Sequence, residues 1–223
     1  VSLPDRAADP AVPDVASRRK AGPYDDAPRL PDGDRVDLRS VVKGVEVELE
    51  IGPGPKAGFL CERAVSAPEN GLIGLEIRKK WAAVGDARLA KLGHAARARV
   101  FCEDARQALP RLGPDGGVAR VFLHFPDPWW KKRHTKRLVM GDVFLSEVAR
   151  LLVAGGELYV QTDVEERAEL YERVVTAHEA FTPAGDVAGA AEVADNPYGA
   201  RSPREHRAIA DGLPVHRMKW TRR

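Results

Sequence analysis

The sequence predicts an α/β fold built on a doubly wound, mostly parallel sheet of Rossmann-like type. Two observations carry that expectation: five short apolar runs with strand character, and helical stretches between them. VEVELEI (45–51) is the first strand, followed by a helix over PKAGFLCERAV (55–65). GLIGLEI (71–77) is the second strand and RKKWAAVGDARLAKLG the second helix. RARVFC (97–102), VARVFLHF (118–125) and GELYVQT (156–162) complete the five, with helical pattern between them. Ligands of such a sheet bind beyond the carboxyl ends of its strands. Glu50 and Glu76 close the first two strands, Asp104 follows the third, Asp127 follows the fourth, and Asp163 ends the fifth.

The chain's 223 residues, 43% of them hydrophobic, suffice for one globular domain with an ordinary core and a modest extension. Its first 40 residues hold six prolines and no sustained apolar period. They are expected to form an N-terminal extension (1–40) outside the core, with the folded domain over 41–223. The longest apolar runs, such as LLVA and VFL, fall far short of the roughly 20 residues that cross a bilayer, and no signal-peptide core opens the chain. No membrane association is expected. Cys61 and Cys102 are not in metal or redox spacing and read as buried free thiols, which points to the cytoplasm. The net charge of +2 is small, but residues 131–137 carry five Lys or Arg and no acid, and residues 201–223 carry seven against Glu205 and Asp211. Either cluster alone reads equally well as a solvated face; two flanking one α/β core point to phosphate.

In LEIGPGPKAG, Gly52 and Gly54 occupy the turn between the first strand and first helix, where missing Cβ atoms allow close approach of a ligand. A dinucleotide fingerprint would place a third glycine where Lys56 stands, which argues against a pyrophosphate there. Glu76 is placed to accept two ribose hydroxyls, Asp104 an adenine amine, and Glu50 the positive part of a sulfonium amino acid. Three acids suit a cationic, sugar-bearing ligand. S-adenosylmethionine fits that description better than NAD.

The most specific stretch is FPDPWWKKRHTKR (125–137). With LEIGPG, GLEI, EDA, QTD and SPREHR in that order, the chain resembles the bacterial tRNA (guanine-N7)-methyltransferase family over about residues 40–223. The resemblance implies a class I methyltransferase fold over 41–223, S-adenosylmethionine as cofactor and tRNA as partner. It also implies that Glu50, Glu76, Asp104 and Asp127 line the cofactor site, with Asp127 catalytic. Lys131, Asp163 and the segment Ser202, Pro203, Arg204, Glu205 are implied to meet substrate. The sequence departs from the family at Lys56, where a third glycine is usual, and at Ser202, which keeps a hydroxyl where threonine is usual.

The chemistry explains why an acid precedes two rings and a basic run. Guanine N7 has an in-plane lone pair and no proton, so its methylation needs alignment and no general base; alignment supplies roughly 7–11 kcal/mol at best. The ring becomes positive, and an adjacent carboxylate such as Asp127 stabilises that charge. Pro126 and Pro128 fix φ on either side of it. Trp129 or Trp130 is placed to stack on a base, worth about 1–3 kcal/mol, although a tryptophan is more often packed in a core. Lys131, Lys132, Arg133, Lys136 and Arg137 are read as phosphate contacts, as are Arg201, Arg204, Arg207 and Arg217. An A-form helix hides N7, so the target guanosine should lie in a loop or be extruded, and the family suggests the variable loop. Asp163 or Glu205 would accept from the guanine edge; Asp163 is equally placed as a helix N-cap. The six histidines lack metal-ligand spacing and no metal is expected. They read as structural or solvent-facing, except His134 in the basic loop. Monomer and homodimer stay open. A nucleotide-dependent oxidoreductase and an RNA-binding module with a vestigial pocket are the competing readings.

Overall fold

The computed structural model describes residues 22–126 and 140–223. All five expected strands form: β1 (Val47–Ile51), β2 (Gly71–Glu76), β3 (Ala98–Cys102), β4 (Val118–His124) and β5 (Leu152–Thr162). They pair in parallel in the order β3-β2-β1-β4-β5, so the winding reverses between β1 and β4. Two antiparallel strands, β6 (Phe181–Pro183) and β7 (His216–Arg222), extend the sheet, with β7 between β5 and β6. Besides a single helical turn at Leu38–Val41, the α-helices among the described residues are α1 (Gly58–Ser66), α2 (Lys79–Lys91), α3 (Ala105–Ala108), α4 (Asp142–Leu151), α5 (Glu165–Ala177) and α6 (Pro203–Ala210). Among the described residues no helix is long and apolar enough to cross a membrane.

Alternate residues of each strand point to opposite faces. One face is apolar: Leu49 and Ile51, Ile73 and Leu75, Val121 and Leu123, Leu158 and Val160, Met218 and Trp220 all join one buried cluster. α4 supplies Phe144, Leu145, Val148 and Leu151 to it, a helical stripe at spacings of three and four. Each such side chain contributes roughly 1.5–3 kcal/mol on burial. The opposite face carries Leu72 and Phe122 under α1, but also Glu48, Glu50, His124 and Gln161, all buried.

Two expectations change. The first helix does not begin at Pro55: Pro55–Ala57 is a tight turn with Lys56 at φ 68 and Ala57 at φ 45, and α1 begins at Gly58 because left-handed residues cannot continue a right-handed helix. Within the basic C-terminal cluster, HRMKWTR forms β7 and alternates Met218 and Trp220 toward the core with Arg217 and Lys219 on the other face. The segment assigned to an extension outside the core contributes to it. Leu30, Val36 and Leu38 are buried in the apolar cluster, and Val36 pairs with Leu112. Isolated apolar residues among prolines have no period, so burial of this segment could not be read from pattern.

Candidate active site

A cavity of about 1020 Å³ opens at the carboxyl ends of the parallel strands. Its wall brings together Glu50, Gly52, Gly54, Glu76, Asp104, Asp163, Ser202, Pro203 and Arg204, all expected from the sequence. Gly52 and Gly54 hold φ of 70 and 69, and a Cβ at Gly52 would have no atom within 4 Å, leaving the turn open to the cavity. Lys56 takes a glycine-like left-handed conformation, so the turn keeps its shape without the third glycine. The cost is about 1–2 kcal/mol. Lys56, Ala57 and Phe125 are the non-glycine residues with positive φ among the described residues; Phe125 lines the cavity, and Lys56 and Ala57 directly follow its lining residues Gly54 and Pro55.

The acids differ in what holds them. Glu76 accepts from the backbone N–H of Gly54 at 3.0 Å and of Arg78 at 2.9 Å, which aims its carboxyl along the glycine turn. Burial pushes its pKa up even against those two bonds. Asp104 caps α3 by accepting from Arg106 N–H at 3.0 Å, and the Arg106 guanidinium, 2.6 Å away, holds its carboxyl below the usual range. Glu50 is almost wholly buried, with Oε1 2.8 Å from His124 Nδ1 and Oε2 without a hydrogen-bond partner.

The far wall comes from β5 and α6. Asp163 accepts from Arg204 Nε at 3.0 Å. The alternative role for Asp163 as a helix cap is not taken: Val164 is the N-cap of α5, and Thr162 Oγ1 accepts its N–H at 3.3 Å. Ser202 caps α6 by accepting from Glu205 N–H at 3.2 Å, and Pro203 occupies the first turn, where its missing N–H costs nothing. Pro203 also lies against the start of α1; a Cβ at Gly58 would come within 2.4 Å of its ring. The two helix starts therefore touch.

Glu205 and Arg217 do not line the cavity. Glu205 is fully buried and accepts from Arg217 Nε and Asn196 Nδ2, each at 2.9 Å. The expected guanine acceptor and phosphate contact are thus joined in an internal ion pair, since a buried carboxylate needs a partner and the β7 register supplies one. Asp127 and Lys131, with Trp129, Trp130 and the rest of the basic loop, lie outside the described residues. Sequence reasoning missed Arg78, whose guanidinium stacks 3.9 Å over the Trp81 ring, both lining the cavity. It also passed over His124 as structural. The one available signal was the place of His124 at the carboxyl end of a strand. Among the described residues no three His, Cys, Asp or Glu side chains cluster as metal ligands do.

A family model described as "Putative methyltransferase" matches residues 45–218. A tRNA (guanine-N(7)-)-methyltransferase of Anaeromyxobacter dehalogenans is 40% identical over 177 residues, covering 79% of this chain and 85% of that protein. One from Myxococcus xanthus is 35% identical over 173 residues, covering 78% of this chain and 82% of its own length. Among solved structures, the 16S rRNA methyltransferase KamB superposes with a TM-score of 0.57 at 16% identity, over 83% of this chain and 90% of that one. TrmN from Thermus thermophilus gives 0.56 at 18% identity, over 83% of this chain and 47% of its own. At these identities the two structures share the fold alone.

Proposed function

We propose that this chain, which belongs to the tRNA (guanine-N7)-methyltransferase family, transfers a methyl group from S-adenosylmethionine to N7 of a guanosine in tRNA, in the variable loop. The observation that carries this reading is the cavity itself: an open glycine turn and three carboxylates at the ends of successive parallel strands. The residues present fit the donor. Glu76 is held with a carboxyl edge at the glycine turn, where it would take ribose hydroxyls, and Glu50 keeps a buried oxygen without a partner at the wall. Asp104 would take the adenine end through the lone pairs that Arg106 leaves. When bound, S-adenosylmethionine supplies an electrophilic methyl group on a positive sulfur.

The remaining work is positioning. Guanine N7 needs no deprotonation, so the protein holds the base in line and excludes water. Asp127 is the residue we assign to stabilising the charge that develops on the purine, and Lys131 to a backbone phosphate. Asp163 and Arg204, joined across the cavity wall, face the purine edge; Ser202 and Pro203 fix the start of α6 beside them. Glu205 supports that segment from behind and is not among the substrate contacts we propose. The protein is placed in the cytoplasm, where the free, buried Cys61 and Cys102 stay reduced, as a monomer or homodimer.

The deciding experiment incubates unmodified tRNA with the protein and labelled S-adenosylmethionine and maps modified nucleosides by mass spectrometry. New 7-methylguanosine at one variable-loop position is expected. Tight tRNA binding without methyl incorporation would instead favour an RNA-binding module with a vestigial pocket.

A further inference from the structure

We propose that His124 is a positioning residue for the amino-acid end of the methyl donor: it holds Glu50 through one carboxylate oxygen so that the other stays free to receive that end's ammonium group. The inference rests on the donor assigned above and concerns a residue that the sequence reading left as structural.

Glu50 and His124 sit on neighbouring strands, β1 and β4, at the point where the sheet winding reverses, and both line the cavity. Their side chains are 1% and 3% exposed, and His124 Nδ1 lies 2.8 Å from Glu50 Oε1. The imidazole has little freedom. Its ring centroid is 4.3 Å from that of Phe59 on α1 and 5.7 Å from Phe122, to which it lies nearly parallel at 19°. Packing thus fixes the ring, and the ring fixes the carboxylate.

The unpaired atoms identify what is missing. Glu50 Oε2 and His124 Nε2 are both buried and without a hydrogen-bond partner among the described residues. A buried carboxylate oxygen left unpaired keeps the full desolvation penalty of the group. In the tautomer whose Nδ1–H donates to Glu50, Nε2 is a second acceptor. Two buried acceptors on residues that line the cavity call for a donor-rich cation, and an ammonium group has three N–H donors and a full charge. The amino-acid end of S-adenosylmethionine carries one. The sugar hydroxyls belong with Glu76, which accepts from the Gly54 N–H.

Two ligands separate this role from a general packing role. S-adenosylhomocysteine keeps the amino acid on a neutral sulfur, while 5′-methylthioadenosine has the same nucleoside and no amino acid. Equilibrium binding of both to the full chain is measured by calorimetry for wild type, His124→Phe and His124→Asn. His124→Phe should weaken S-adenosylhomocysteine by about tenfold to a hundredfold, the range of a charged hydrogen bond, and change 5′-methylthioadenosine by less than about twofold. His124→Asn, whose amide can donate to Glu50 in place of Nδ1, should recover a substantial part of the loss. Equal weakening of both ligands, or no weakening of the amino-acid-bearing one, overturns the positioning role while leaving the methyl-donor reading intact. A wild-type protein that binds neither nucleoside overturns both.

Discussion

The two faces of the central sheet are made from alternate residues of the same strands, yet different forces hold them. On one face the side chains of Leu49, Val121, Leu158 and Trp220 lie in register across four strands within one buried apolar cluster. On the other, Glu48 receives the Arg63 guanidinium in a two-pronged contact at 2.7 and 2.8 Å, with Arg120 at 3.0 Å and Asn70 at 2.9 Å. Arg120 continues to Glu157 at 3.0 Å, and Glu157 accepts from the Tyr198 hydroxyl at 3.3 Å. Arg63 closes the circuit on the Tyr198 carbonyl at 2.6 Å. Apolar burial is non-directional and supplies stability. The charged face supplies position: it ties the strands to the segment from Asn196 to Glu205, whose far end carries Ser202 and Arg204 to the cavity.

If that division is right, Glu48→Ala is the most damaging single change. Removing one partner strands the buried Arg63, and such a break costs about 3–5 kcal/mol. A urea titration showing less than about 1 kcal/mol would mean the network is no more than a wetted surface. Replacing the pair together by Leu at 48 and Met at 63 should restore most of the stability. Methyl transfer should stay low, because the Tyr198 carbonyl loses its charged donor and keeps only the Ser66 hydroxyl at 3.1 Å.

The neighbouring residue gives the contrast. Leu49→Ala, on the apolar face of the same strand, should cost about 2–5 kcal/mol in the same titration. The folded fraction should keep its kcat. A fall in kcat at matched folding would erase the distinction between faces.

Glu205→Gln removes a charged hydrogen bond to Arg217 and should cost about 1.5–3 kcal/mol with cofactor affinity retained. Unchanged stability together with a raised KM for tRNA would return Glu205 to the substrate contacts.

Glu76 gives a pH test. Its carboxylate is the form that accepts ribose hydroxyls, so cofactor affinity should fall as pH drops. Burial raises its pKa, so the fall should begin above the ordinary glutamate value of about 4.3, at no more than about tenfold per unit. Glu76→Gln should flatten the profile measured by calorimetric titration.

The smallest effect is a gain. Lys56→Gly relieves a left-handed side chain and should stabilise the fold by about 1 kcal/mol, read as a higher thermal midpoint.

Much of the site was legible because its signals are local. Strand runs are contiguous, the glycine turn is short, and Glu50, Glu76 and Asp104 announce themselves by standing at strand ends. Glu205 and Arg217 were not legible as a pair. In sequence, a carboxylate and a guanidinium twelve residues apart look like two surface charges, and only the antiparallel return of β7 turns one toward the other. His124 and Glu50 are 74 residues apart and meet only because β1 and β4 are neighbours.

Local periodicity and chemistry determined the strand and helix types, the placing of acids at strand ends, and the resemblance carried by FPDPWWKKRHTKR. The tertiary structure alone decided which charges face inward, which residues of the proline-rich start join the core, and where the C-terminal basic segment goes. The reason is that propensity acts between near neighbours along the chain, whereas a charge acquires a partner or a solvent shell only once the register of distant strands is set.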